Sequence, residues 1–433
     1  MRVDVFETRE SAVRSYCRSW PTVFDRAQGS LIYDEEGTEF LDFFSGAGAL
    51  NYGHNRSELI EPAIDYLREG RVLHSLDVYT TAKREFLETF QELVLEPRDL
   101  PHRVMFPGPT GTNAVEAALK IARKYTGRQH VLSFTNAFHG MTLGSLAVTG
   151  NSMKRRGAGI PLTNSSKIPY DDYFSGAAED FLWLERVLAD SGSGVDLPAA
   201  IIVETVQGEG GLNAARIEWL QTLAELCRRH DILLIVDDVQ AGCGRTGTFF
   251  SFEEAGIVPD VICLSKSISG SGQPMALTLI KPELDIWEPG EHNGTFRGNN
   301  LAFTTATAAL RTFWADDLFA KEVRVRGEQL REGLQAIADQ YDGAAVRGRG
   351  LLTGVVFAQE HLAGEIAAEC FRRGLLVETS GPDSEVVKTM PALTIGEDQL
   401  RRGLEILTEA TAAVHAREAG DAPSATARQE VHA

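Results

Sequence analysis

The spacing of apolar positions changes several times along the 433-residue chain, and each change predicts an element. Near the start, Ile32-Tyr33 and Glu39-Phe40-Leu41-Asp42 flank the turn-like Asp34-Glu35-Glu36-Gly37, which predicts a two-stranded hairpin. Up to about residue 95 the pattern is helical, with Leu59, Ala63, Ile64 and Leu67 three to five apart along one face. From 104 to about 276, short apolar, β-rich runs at 130–134, 199–204, 232–237 and 261–264 alternate with helical stretches at 113–125 and 217–229. Continuous apolar strands separated by helices predict βαβ units and a mostly parallel sheet covered on both faces. Two long helical stretches follow at 301–314 and 318–341. Beyond them, strand patterns at 346–357, 375–378 and 386–393 interleave with a helix at 365–373.

The expected organisation is therefore α/β. Residues 61–315 form a large domain and 316–417 a smaller α+β domain, against which an N-terminal segment, 1–60, packs. The tail 418–433, EAGDAPSATARQEVHA, is small, polar and without period, and is expected to be disordered. No internal repeat is visible.

Composition narrows the function. With 42 Lys and Arg against 61 Asp and Glu the net charge is −19, a surface that repels phosphate backbones and argues against nucleic-acid binding. No apolar run approaches the roughly 20 residues a membrane-spanning helix needs. The start, MRVDVFETRESAVRSYCRSW, lacks an apolar signal core. Cys17, Cys227, Cys243, Cys263 and Cys370 stand singly, which argues against a disulfide framework or a metal site and for a cytoplasmic setting. Only nine of the basic residues are lysines, which shortens the search for an amine nucleophile.

The segment LLIVDDVQAGCGRTG, 233–247, holds a formal G-x-G-x-x-G at Gly242, Gly244 and Gly247, suggestive of a dinucleotide-binding turn. Two features oppose that. The strand ends in Asp237-Asp238, which would face a pyrophosphate, and the residues after Gly247, 248–252, look extended instead of helical. The acid itself supports another chemistry. Open α/β sheets bind ligands at the carboxyl ends of their strands, where a carboxylate such as Asp237 suits a cationic ring nitrogen. Twenty-nine residues on, a second apolar strand ends in Ser265-Lys266-Ser267, which places an amine for a Schiff base. An acid and then a lysine, each at a strand end, is the arrangement pyridoxal phosphate requires. Alone, Asp237 reads equally as a helix-capping acid and Lys266 as a surface lysine; together they point to the cofactor.

Thr110-Gly111-Thr112 opens a helix with an apolar face of Ala114, Ala117, Ala118 and Ile121. Its first N–H groups and hydroxyls suit a phosphate, and equally a plain helix start. Phe138-His139-Gly140 follows the strand near Phe134, where a flat side chain suits either a cofactor ring or the core.

The segments TGTNAVEAALK, AFHGMT, VETVQGEGG, VDDVQAGCGRTG, LSKSIS and NGTFRGNN occur in the order found in class III (omega-amino) aminotransferases, and the chain resembles that family from the Tyr33 hairpin to Leu407. The resemblance implies the fold-type I architecture of pyridoxal-phosphate enzymes, with a mostly parallel seven-stranded sheet. It implies that Lys266 carries the cofactor and shuttles the proton, that Asp237 pairs with the ring nitrogen, and that Gln240 meets the ring hydroxyl. Gly111 and Thr112 would hold the phosphate, Phe138 would stack on the ring beside His139, and Thr295 would reach into a neighbouring subunit's site, which requires a homodimer or higher oligomer.

Glu209, in VQGEGG, matches the family's switchable acid, which neutralises a carboxylate-binding cation when the bound amine has no adjacent carboxylate. That cation is ordinarily arginine before Pro-Pro-Leu; here VVKTMPALTI places Lys388 there, a point charge in place of a two-pronged fork. Thr205 also replaces the family's proline after Glu204. VRSYCRSWPTVFDRAQG, FFSGAGALNYGHN and NAFHGMTLGSLAVTGN most resemble family members that use glutamate to aminate aspartate 4-semialdehyde, giving L-2,4-diaminobutyrate and 2-oxoglutarate in the opening step of ectoine biosynthesis. Family members acting on ornithine, acetylornithine or 4-aminobutyrate share the cofactor residues, as do siderophore-pathway diaminobutyrate enzymes and an aminomutase of the same fold.

Overall fold

A computed structural model describes residues 4–174 and 181–421. Its centre is a seven-stranded sheet in the spatial order Arg103–Met105, Leu277–Ile280, Val261–Leu264, Leu233–Asp237, Ala200–Val203, Val131–Phe134, Ser165–Ile168. Leu277–Ile280 runs antiparallel to both its neighbours, and the other adjacent pairs run parallel. Five of these strands are buried at every position, which explains their unbroken apolar runs. The helix Gly111–Thr126 covers one face with Ala114, Val115, Ala118, Leu119 and Ala122. Because the parallel strands point the same way, the segments after Asp237, Leu264 and Phe134 emerge along one edge, where the site is built.

The C-terminal part carries an antiparallel four-stranded sheet in the order Ala345–Arg349, Leu352–Val356, Val386–Thr389, Glu378–Ser380. A further strand, Leu375–Leu376, pairs parallel with Glu39–Asp42 of the N-terminal hairpin, so the two ends of the chain share one small sheet. Within it Trp20, Phe40 and Leu376 form a separate apolar cluster.

Several sequence expectations shift in detail. The 346–357 run is two strands joined at Gly350, whose φ of +62° allows the tight reversal. The helix expected at 365–373 is Glu360–Arg372; Gly364 interrupts the apolar pattern, yet Leu362, Ala363, Ile366 and Cys370 keep the helical spacing and are buried. The helix Glu397–Asp421 runs into the tail expected to be disordered from 418, and the rest of that tail lies outside the described residues. The 248–252 stretch is a series of turns in place of an extended segment, and it buries Phe249, Phe250 and Phe252. Leu67, counted on a helix's apolar face, is half exposed, while Leu59 and Tyr66 turn inward.

Candidate active site

Lys266 follows the strand Val261–Leu264 and sits in the left-handed region at φ +53°. That backbone is costly for a non-glycine residue, by about 1–2 kcal/mol, and persists because its neighbours fix it. Ser265 Oγ donates to the Met275 carbonyl at 2.8 Å and Ser267 Oγ to the Gly48 carbonyl at 2.7 Å, pinning the turn on both sides of the lysine. Burial pushes the Lys266 ammonium down to about 8, against the opposing pull of Glu209. A neutral amine is therefore accessible near physiological pH.

Lys266 lines a cavity of about 180 Å³ together with Gly111, Thr112, Phe138, His139, Glu209, Asp237 and Gln240. Asp237, at the carboxyl end of its strand, lies 2.7 Å from His139 Nδ1 through Oδ2 and accepts the Val239 N–H at 3.2 Å through Oδ1. Among the described residues, His139 Nε2 is buried with no hydrogen-bond partner. Its imidazole thus serves Asp237, a role its place beside Phe138 does not reveal.

At the opposite end of the cavity the helix Gly111–Thr126 begins. The Thr110 N–H donates to Asn113 Oδ1 at 3.2 Å, and Gly111 and Thr112, in the first turn where helix N–H groups have no intrahelical partner, line the cavity. Thr112 Oγ1 is 2.7 Å from Thr142 Oγ1 and 2.9 Å from Ser145 Oγ. A Cβ on Gly111 would come within 2.9 Å of Val239 Cγ1, so the helix start approaches the Asp237 strand as closely as glycine permits.

The third wall carries the charges. Lys388, on the strand Val386–Thr389, has a fully buried side chain and places Nζ 3.0 Å from Glu209 Oε1, 3.0 Å from Glu378 Oε1 and 3.1 Å from Gln240 Oε1. Burial opposes its charge, but Glu209 and Glu378 together raise its pKa above the ordinary lysine value. Burial likewise opposes ionisation of Glu209, yet Lys388 and Lys266 draw it down to about 2. Glu378 is pushed up by burial, only partly offset by Lys388.

Nine of the ten sequence-predicted residues therefore meet around one cavity, Lys388 through its contacts with Glu209 and Gln240. Thr295 does not: it is exposed in the turn Thr295–Arg297, outside this chain's cavity. Gln240 Nε2 donates to the Ala47 carbonyl and to Glu209, so its amide is already engaged. Two acids went unread in the sequence. Glu204 lines the cavity and accepts the Phe138 N–H at 2.9 Å, with its carboxyl raised by burial. Glu378 is a strand residue whose role depends on lying opposite Lys388 in the strand pairing, which periodicity does not supply.

These residues fit pyridoxal phosphate on their own chemistry. One end offers helix N–H groups and hydroxyls for a phosphate, the floor a buried carboxylate for a ring nitrogen, and the side an amine of lowered pKa for an aldehyde.

Residues 14–411 match the aminotransferase class-III family. The chain is 64% identical over 411 residues to the diaminobutyrate–2-oxoglutarate transaminase of Streptomyces coelicolor, covering 94% of this chain and 97% of that protein. It is 59% identical over 407 residues to the enzyme of that name from Oceanobacillus iheyensis, covering 94% and 95%. Among solved structures it resembles ornithine aminotransferase from Toxoplasma gondii, whose active site shows partial occupancy of pyridoxal phosphate. There the TM-score is 0.81 and the identity 25%, over 96% of this chain and 95% of that one. N-acetylornithine aminotransferase from Stenotrophomonas maltophilia gives a TM-score of 0.74 and 28% identity, over 96% and 100%.

Proposed function

Because the chain belongs to the class-III aminotransferases, we propose that it transfers the amino group of glutamate to the aldehyde carbon of aspartate 4-semialdehyde, forming L-2,4-diaminobutyrate and 2-oxoglutarate. The observation that carries this reading is the single cavity in which Lys266, the Asp237–His139 pair and the start of the helix Gly111–Thr126 converge. The strong likeness to diaminobutyrate–2-oxoglutarate transaminases over most of both chains supports the substrate pair. The product is the one that opens ectoine biosynthesis, and osmoadaptation is the physiological setting we infer.

The cofactor is pyridoxal 5'-phosphate, which when bound supplies the aldehyde that carries the amino group and the ring that withdraws electrons from the reacting carbon. Gly111 and Thr112 hold its phosphate at the helix start. Asp237 keeps the ring nitrogen protonated, and His139 keeps Asp237 oriented. Phe138, anchored through its N–H on Glu204, would cover the ring face. Lys266 Nζ would take the proton from the reacting substrate carbon and hold it for return, general acid–base catalysis that needs an amine of modest pKa. Glutamate presents a carboxylate beside its reacting carbon and diaminobutyrate does not. The Glu209–Lys388 contact therefore opens for the first and stays closed for the second.

The second subunit enters through Thr295. The turn that bears it lies beside residues 72–79, tied by the His74–Asn299 bridge and the Ser75 N–H to the Gly298 carbonyl. Val72, Val78, Tyr79 and Phe296 there are all more than half exposed, an apolar surface that suits a homodimer interface. The setting we infer is cytoplasmic; among the described residues no helix is long and apolar enough to cross a membrane.

The test is a substrate panel. With 2-oxoglutarate as acceptor, diaminobutyrate should give glutamate at a kcat/KM at least about tenfold above ornithine, N-acetylornithine and 4-aminobutyrate. A preference for ornithine would keep the aminotransferase and overturn its substrate. Isomerisation of one amino acid without 2-oxoglutarate would indicate an aminomutase.

A further inference from the structure

Lys388 is held by two acids, whereas the switch needs one. An ammonium has three donors, and three oxygens surround Nζ within 3.1 Å: Glu209 Oε1, Glu378 Oε1 and Gln240 Oε1. Glu209 and Gln240 accept hydrogen bonds from Nζ and Glu378 Oε1 is held against it as a close ion pair, so a carboxylate can take its place beside the buried Nζ only if one of the three departs. Glu378 is badly placed to leave. It faces Lys388 across paired strands, in the register Glu378 to Lys388, and its Oε2 accepts the Tyr16 hydroxyl at 3.1 Å. Gln240 is tied to the Ala47 carbonyl. Glu209, in the loop after the strand Val206–Gln207, retains 22% exposure, lines the cavity and has besides Lys388 only the 3.2 Å bond from Gln240 Nε2 on its carboxylate, so it is the acid best placed to move.

The charge count then differs from that of a one-acid switch. With Glu209 in place the cluster of Lys388, Glu209 and Glu378 carries a net charge of −1. With Glu209 gone Lys388 is still neutralised by Glu378, where a single acid would have left a bare cation.

We propose that Glu378 is a specificity-determining residue: by keeping Lys388 neutralised when Glu209 moves away, it weakens the site's hold on a carboxylate next to the reacting carbon and leaves the grip on diaminobutyrate unchanged. This rests on the aminotransferase reading above. The consequence for turnover is that glutamate and 2-oxoglutarate are bound loosely enough to exchange with the second substrate pair in the same cavity. Tyr16, from the N-terminal helix Tyr16–Ser19, acts on the same acid from outside; its ring packs on Phe44 with centroids 4.8 Å apart. The N-terminal segment thus reaches the substrate pocket through one hydroxyl.

The experiment compares the wild-type holoenzyme with E378Q, which keeps the shape and removes the charge. The first measurement is the dissociation constant of glutarate, a dicarboxylate that cannot react, by titration calorimetry. We expect E378Q to bind it about tenfold more tightly, the effect of removing one nearby buried negative charge, and Glu378→Asp to stay close to wild type. The second is steady-state kinetics: KM for glutamate falls relative to KM for diaminobutyrate, so that the ratio of the two shifts by a similar factor. Tyr16→Phe, at a position 44% exposed, removes the hydroxyl that supports the acid and shifts the glutarate constant in the same direction by a smaller factor. This second variant keeps the test alive if E378Q does not fold. Unchanged or weaker glutarate binding in the folded variants, or equal shifts in both KM values, would overturn the proposal. Failure of the functional reading looks different: wild type would then exchange amine with glutamate but not with diaminobutyrate, and the glutarate comparison would still decide the role of Glu378.

Discussion

Lys266 is the residue to which the proposed chemistry is assigned, and its environment sets a measurable pH dependence. Burial lowers its pKa to about 8, and only the neutral amine attacks an aldehyde. Below pH 8 each unit of acidification therefore reduces the reactive fraction about tenfold. We predict that the rate at which cofactor-free protein captures pyridoxal phosphate rises with pH and levels off above about 8, which stopped-flow absorbance can follow; a plateau reached only near the ordinary lysine value would contradict the assigned environment. Lys266 and Asp237 were legible in the sequence because each closes an apolar strand, and strand ends in a parallel sheet share one edge. Glu378 was not legible, because its meaning comes from a cross-strand neighbour ten residues away whose register only the folded sheet defines. Nor was the pairing of His139 with Asp237, made across 98 residues.

At the scale of elements, two junctions carry the site. The first is the strand pair Glu378–Ser380 and Val386–Thr389, which buries an ammonium between two carboxylates. Removing one member of such a buried cluster leaves charge without a partner, at a cost of about 3–5 kcal/mol. Lys388→Met should accordingly lower the urea-unfolding free energy by that amount, far beyond the effect expected of an exposed lysine. The second is the turn around Gly140, against the start of the helix Gly111–Thr126. Gly140 has φ +127°, and a Cβ there would come within 2.5 Å of Thr112 Oγ1. Gly140→Ala should push Thr112 aside and weaken cofactor binding by about tenfold, read by equilibrium dialysis against pyridoxal phosphate. In the large domain the element types were legible where apolar runs and helical spacing are long, while the strands Arg103–Met105, Ser165–Ile168 and Leu277–Ile280 went unread. Boundaries slipped where glycine breaks a pattern, as at Gly350 and Gly364.

For the whole molecule, a mostly parallel sheet followed from the alternation of four buried strands with helices, while its seven strands followed only from the family resemblance; the pairing of Leu375–Leu376 with Glu39–Asp42 followed from neither, since it joins segments more than 330 residues apart. The exposed apolar surface of Val72, Val78, Tyr79 and Phe296 is the whole-molecule feature that most needs a partner. Phe296→Glu would place a charge in the inferred interface of a chain already at −19. It should shift the protein from dimer toward monomer in sedimentation velocity and, because Thr295 is adjacent, reduce activity in parallel. A monomeric variant of full activity would remove Thr295 from the functional account.

The central claim is that one cavity binds pyridoxal phosphate on Lys266 and exchanges amine with diaminobutyrate at its terminal carbon. The most direct test is the absorbance spectrum of the purified protein reconstituted with pyridoxal phosphate, followed through a single turnover. A visible band of protein-bound cofactor should appear, be absent in Lys266→Ala, bleach on adding diaminobutyrate and return on adding 2-oxoglutarate. A band unmoved by diaminobutyrate, or one that persists unchanged in Lys266→Ala, would contradict that claim.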